Sequence, residues 1–128
     1  MQNYLWNMLI NIQNGQIAKL NFILHPRKMP CEAVLQILWK NGYILGYQVD
    51  KNNYKKFKIF LKYKHNKAVI NSIKKLSNTG YNIFYSIYGT WKIKNNSSLV
   101  LIFTPKGIKS ITVSKKFKIG GQPFVLIN

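Results

Sequence analysis

The sequence predicts an α+β protein built from an N-terminal α-β-α-β-β split layer over residues 1–66 and a smaller, mainly β module over 67–128. Three observations lead there. Apolar residues recur at helical spacing in two N-terminal stretches, alternate with period two in a third, and after residue 76 survive only as short β-type runs between polar turns. At 128 residues the chain matches one ordinary domain or two small halves, and 47% hydrophobic residues are enough to build a core.

Tyr4, Leu5, Met8, Leu9 and Ile12 fall on one face of a helix over 4–13, which Asn14-Gly15 is expected to end, Gly being favoured just past a helix. Leu20 to His25 follows as a short strand stopped by Pro26, and Pro26 and Pro30 bound a loop carrying Arg27 and Lys28. A second helix opens near Glu32, uses Val34, Leu35 and Leu38, and closes at Asn41-Gly42; its acid lies where the helix dipole favours it. Tyr43–Val49 and Tyr54–Tyr63 read as a hairpin around the Asp50–Asn53 turn. In its second strand Phe57, Ile59 and Leu61 alternate with Lys56, Lys58 and Phe60, which predicts one core face and one mostly basic face.

Residues 64–67 are the expected connection between the modules. A short amphipathic piece then places Ala68, Val69, Ile73 and Leu76 on one side, and Asn78-Thr79-Gly80 turns the chain. Strands are expected at Tyr81–Ile87, Leu99–Thr104 and Phe124–Ile127, with a polar loop at Asn95–Ser98.

Charge narrows the partner. Twenty Lys plus Arg against two acids, Glu32 and Asp50, give a formal +18, and Arg27 is the one arginine. Such an excess repels itself unless a polyanion neutralises it, which points to nucleic acid. A cationic membrane-surface protein is the competing physical class. No apolar run approaches the roughly 20 residues that span a bilayer, and the lysines are spread along the chain instead of lying on one helix. The lysine-bearing face of the second hairpin strand, with Lys56 and Lys58, suits phosphate contact beyond what solubility requires.

Catalysis finds little support. The two carboxylates are separated by a helix and a strand, and His25 and His65 lack both a nearby acid and metal-ligand spacing. Glycine patterns for mononucleotides or dinucleotides are missing, and no cofactor or small-molecule substrate is expected. Cys31 has no partner for a disulfide and reads as a partly buried thiol at a helix start. Tyr47, Tyr63, Tyr81 and Tyr85 are candidates for base stacking whose simpler role is strand packing. Two segments deserve more weight, Thr104-Pro105-Lys106-Gly107-Ile108-Lys109-Ser110 and Ile119-Gly120-Gly121-Gln122, because glycine permits close backbone approach while Lys, Thr, Ser and Gln offer phosphate and hydrogen-bond contacts. Each alone is only a turn.

In order and spacing these segments resemble the universal small-subunit ribosomal protein eight family. Asn7 through Gly15 is similar to its opening helix and Asn-Gly end, Asn41-Gly42-Tyr43-Ile44 to its Gly-aromatic-Ile step, and Leu61-Lys62-Tyr63 to its third-strand signature. Thr104 through Ser110, centred on Gly107, sits where that family has a Ser-Thr-Ser-x-Gly-x-Met-Thr loop, and Ile119-Gly120-Gly121 follows at the family's spacing before a terminal strand. The chain departs from the pattern where Phe103 and Pro105 replace two serines, Lys109 a Met, Gln122 a Glu, and Asn78-Thr79-Gly80 an Arg-Pro-Gly turn. The resemblance covers nearly the whole chain. It implies an α/β N-terminal half and a β-rich C-terminal half that bind the central domain of small-subunit ribosomal RNA and support its assembly beside neighbouring small-subunit proteins.

The expected RNA-binding residues are therefore Arg27, Lys28, Lys56, Lys58, Thr104, Pro105, Lys106, Gly107, Ser110, Gly120, Gly121 and Gln122. A stand-alone module for structured RNA is the alternative. Abundant Lys, Asn, Ile and Tyr, all with A/T-rich codons, together with an N-terminus that does not read as a presequence, suggest an organelle-encoded protein. A mitochondrial matrix ribosome is the expected location, and a plastid the alternative.

Overall fold

The apolar spacing of Leu5, Met8, Leu9 and Ile12 forms a helix, α1 (Asn3–Ile17), with all four side chains buried. A computed structural model of the chain describes residues 3–75 and 99–128. The expected stop at Asn14-Gly15 does not occur. Gly15 lies inside α1 because the helix presses on the sheet there: a Cβ would stand 2.6 Å from Ile23 Cγ2 and 3.0 Å from Leu61 Cδ1. The helix runs on to Ile17, and Lys19, in the left-handed region at φ +60°, closes the turn after it, where the Lys19 N–H donates to the Gln16 carbonyl and the Leu20 N–H to the Gly15 carbonyl.

The first of two compact units ends at Asn71. Its sheet joins β1 (Phe22–Pro26), β2 (Ile44–Val49) and β3 (Lys56–Leu61) in the antiparallel order β1-β3-β2. Helix α2 (Met29–Lys40) starts three residues earlier than Glu32, since Pro30 is tolerated in a first turn, and closes as expected at Asn41-Gly42. Both helices pack on one sheet face. Buried Cys31, Val34, Leu35 and Leu38 of α2 join α1, Ile23, Ile44, Phe57, Ile59 and Leu61 in the core. The other face keeps Phe22, Leu24, Lys56, Lys58 and Phe60 outside, as the two-residue strand period requires.

Residues 64–67, expected as the connection, belong to a hairpin of this same unit. Strands β4 (Tyr63–Lys64) and β5 (Lys67–Ala68) pair around His65 and Asn66, both left-handed at φ +54° and +64°. The amphipathic piece that follows is extended, not helical. Ala68 lies in β5, and Ile73 lies in β6 (Ile73–Lys75), which pairs with the last strand. Leu76, the Asn78–Gly80 turn, the Tyr81–Ile87 run and the Asn95–Ser98 loop fall outside the described residues.

The second unit begins at Ser72. Strands β7 (Leu99–Thr104), β8 (Gly107–Ser110) and β9 (Gln122–Ile127) complete a four-stranded antiparallel sheet in the order β6-β9-β7-β8. Leu99 through Ile102 are all buried, which fits a continuous branched apolar run in a central strand. A third helix, α3 (Ile111–Phe117), was not expected from the sequence. Ser110 caps it, its Oγ accepting from the Val113 N–H at 3.3 Å, and Lys118 ends it at φ +55°. The observed architecture is thus mixed α+β, with an α/β first unit and a mainly β second one.

Two outcomes follow. Gly15→Ala should lower the melting temperature although Ala favours a helix, because β-branched Ile23 and buried Leu61 cannot retreat cheaply; the overpacking of about 1–3 kcal/mol outweighs a propensity gain of roughly 1 kcal/mol. A thermal melt showing a more stable variant would remove the close-approach argument. His25 is 5% exposed on β1, and burial lowers its pKa from the ordinary 6.5, the Tyr4 main-chain carbonyl opposing in part. Between the lowered native value and 6.5 the unfolded chain binds more protons, so stability is full above about pH 6.5 and falls as pH drops below it. Denaturant titrations at about pH 5 and pH 7.5 should show this loss in the parent and less of it in His25→Met; an equal loss in both would exclude His25 as its source.

Candidate nucleic-acid interface

Strand β1 ends at Pro26, opposite Lys56 of β3, so the turn carrying Arg27 and Lys28 emerges at the end of the sheet where the basic strand begins. The Arg27 N–H donates to the Lys55 carbonyl at 2.8 Å, and its Nη1 to the Tyr54 carbonyl at 3.3 Å. The arginine therefore clips the β1–α2 turn to the β2–β3 loop and is partly structural. Lys28 is the exposed N-cap residue of α2 and makes no side-chain cap bond. Together with Tyr54, Lys55 and Glu32 they line an open cavity of about 570 Å³. Glu32 is held by the Tyr47 hydroxyl, which donates to Oε1 at 3.3 Å.

Lys56 and Lys58 stand on the sheet face away from the helices. Lys58 Nζ lies 4.1 Å from the centre of the Phe22 ring and 5.5 Å from that of Phe60. Tyr47 turns the other way, edge-on to Trp39 and Phe57 at 6.0 and 5.6 Å, which makes it a packing residue. Tyr63 donates to the Leu20 carbonyl at 2.6 Å; Tyr81 and Tyr85 lie outside the described residues. Burial pushes the Cys31 thiol up to about 11 against the lowering influence of Lys28, so at neutral pH it is a protonated core group.

In the second unit Thr104 and Gly107 face each other as the closing pair of the β7–β8 hairpin, with Pro105 and Lys106 exposed at its tip. The Thr104 hydroxyl shapes this turn. It donates to the Gly107 carbonyl at 2.6 Å and accepts from the Lys106 N–H at 3.2 Å. Gly107 sits at φ +105° with nothing within 4 Å of where a Cβ would project, so its backbone faces open space. Gly121 is a different kind of glycine: a Cβ there would collide with the Phe103 carbonyl and stand 3.1 Å from Thr104 Cγ2. Gln122 pairs with Phe103 on the next strand.

The structure thus brings Thr104–Gly107 and Gly120–Gln122 to one end of the sheet. Ser110 is not part of that cluster. It is 6% exposed at the far end of β8, roughly 10 Å along the strand, with its hydroxyl in the α3 cap. Phe103, which departs from the family's serine, stacks on Phe124 with centroids 4.0 Å apart and serves the core. Sequence reasoning missed the support behind the second segment: Ser114 is fully buried, and its Oγ donates to the Ile119 carbonyl just before Gly120. It also missed Phe22, whose place beside Lys58 depends on strand pairing.

Known proteins resemble the chain along almost its whole length. The Ribosomal protein S8 family matches residues 3–127 of the chain. A small ribosomal subunit protein uS8 from Buchnera aphidicola subsp. Cinara cedri is 31% identical over 122 residues, covering 95% of this chain and 94% of the relative. Relatives of the same name from Rhodospirillum centenum and Ehrlichia ruminantium are 31% and 35% identical, covering 92% and 91% of this chain and 91% and 89% of their own lengths. With the resemblance seen in the loops extending along almost the entire chain, this protein belongs to the ribosomal protein S8 family.

Proposed function

We propose that the protein is a structural constituent of the ribosomal small subunit that binds the central domain of small-subunit RNA and supports its assembly, without an enzymatic role. The observation that carries this reading is a family match across residues 3–127 on a chain of formal charge +18. The Thr104–Gly107 turn meets RNA through its backbone and Lys106, the Gly120–Gln122 segment lies beside it, and Arg27, Lys28, Lys56 and Lys58 neutralise phosphates. Ser110 contributes by fixing α3 behind the hairpin. A rigid turn with an exposed backbone reads RNA shape, while lysines supply the sequence-independent attraction.

We place the protein in a mitochondrial matrix ribosome, with the plastid as alternative. The A/T-type composition supports this, and the bacterial relatives fit a ribosome of bacterial descent. The protein should co-sediment with small subunits from purified mitochondria after a high-salt wash. Release as a free RNA-binding protein would favour the stand-alone module, and co-sedimentation only with plastid particles would move the compartment.

Binding to its RNA should weaken steeply with salt; about five phosphate contacts give a log-log slope near −4, and a slope near zero would remove the electrostatic reading. Lys106→Ala should reduce both affinity and slope by about one contact. Gly107→Val should lose more affinity than Lys106→Ala at nearly unchanged slope, since a branched side chain would occupy the space left open at φ +105°. If a folded Gly107→Val protein binds as tightly as the parent, this turn is not the contact.

A further inference from the structure

The outer face of the first sheet carries more than lysines. Phe22 and Leu24 are 42% and 39% exposed there, and the Phe22 and Phe60 rings face each other across β1 and β3 at 6.4 Å, tilted by 58°. Lys58 lies over both rings, Lys56 precedes it by two residues on the same face, and none of the outward residues of β1 and β3 is acidic. We propose that this face binds an unpaired stretch of RNA, stacking bases on Phe22 and Phe60 while Lys56 and Lys58 meet the adjacent phosphates. The proposal rests on the ribosomal RNA-binding reading and names the form of RNA that this one face takes.

Magnitudes favour the exchange it requires. An exposed ammonium over a ring is held only about twofold to fivefold. A base stacked on an aromatic side chain is worth roughly fivefold to a hundredfold in affinity. An arriving base therefore displaces Lys58 from Phe22, and the freed ammonium meets the phosphate that the same nucleotide brings. A protein partner would have to desolvate two ammonium groups and supply buried carboxylates to match them, whereas RNA carries an anion with every base.

The test uses the full chain, a twelve-nucleotide oligouridine and a duplex of equal length in low salt. Phe22→Leu with Phe60→Leu, which keeps apolar area but removes the rings, should weaken oligouridine about fivefold or more at unchanged salt slope while leaving duplex affinity within about twofold. Lys56→Gln with Lys58→Gln should lower affinity and slope together. Ultraviolet cross-linking of the parent protein to oligouridine should place the adduct on the peptides holding Phe22 or Phe60, a result independent of how the variants fold. Ring variants that bind oligouridine like the parent, or adducts confined to other peptides, overturn the platform and leave the ribosomal reading standing. Polyglutamate bound with the same dependence on the rings would assign the face to acidic protein instead. Failure of the parent to bind either RNA overturns both readings.

Discussion

Twenty cations balanced by two carboxylates must stay in water, or on an anion, while the same short chain buries a core, and much of the fold answers that constraint. Strand alternation does the sorting in β3, where Phe57, Ile59 and Leu61 go inward and Lys56, Lys58 and Phe60 outward. In α2 the sorting follows the helical face, leaving Val34, Leu35 and Leu38 inside and Lys40 outside. Where four successive residues are buried, as from Leu99 to Ile102 in β7, the sequence carries no charge at all.

The turns bear a related strain. Lys19, His65, Asn66 and Lys118 all adopt left-handed backbone conformations, at roughly 1 kcal/mol each for residues with a Cβ. Lys19 and Lys118 end α1 and α3, and His65 with Asn66 closes the β4–β5 hairpin. A small domain has little stability to spare for several such sites on top of self-repulsion. A polyanion that binds only the folded chain removes the repulsion and adds its own binding free energy, coupling stability to the proposed RNA contact.

The legible parts of the sequence were those in which one local signal dominated. The α2 apolar face, the Asn41-Gly42 end and the β2–β3 alternation are of this kind. Gly15 misled because its glycine signal came from close packing against Ile23 and Leu61, a long-range fact, while the real helix end used a lysine. The Ala68–Ile73 spacing suits a helix as well as an extended chain, and pairing of Ile73 with Ile127 decides it. Helix α3 has seven residues, too few for periodicity to emerge, and Ser110, read from the sequence as an RNA contact, is its cap. Of the site, the glycine-containing turns and the basic strand were readable as motifs. The use of the Thr104 hydroxyl inside its own turn, the collision that keeps Gly121 a glycine, and the meeting of Phe22 with Lys58 depend on register between distant strands.

The dependence of the fold on neutralising its charge is tested most directly by melting the free protein in low salt with and without its RNA, and then repeating the free melt at rising salt. The melting temperature should rise when RNA is added and, in the free protein, as salt screens the lysines from one another. A free protein that melts equally high in low salt, with RNA or without it, would contradict the account.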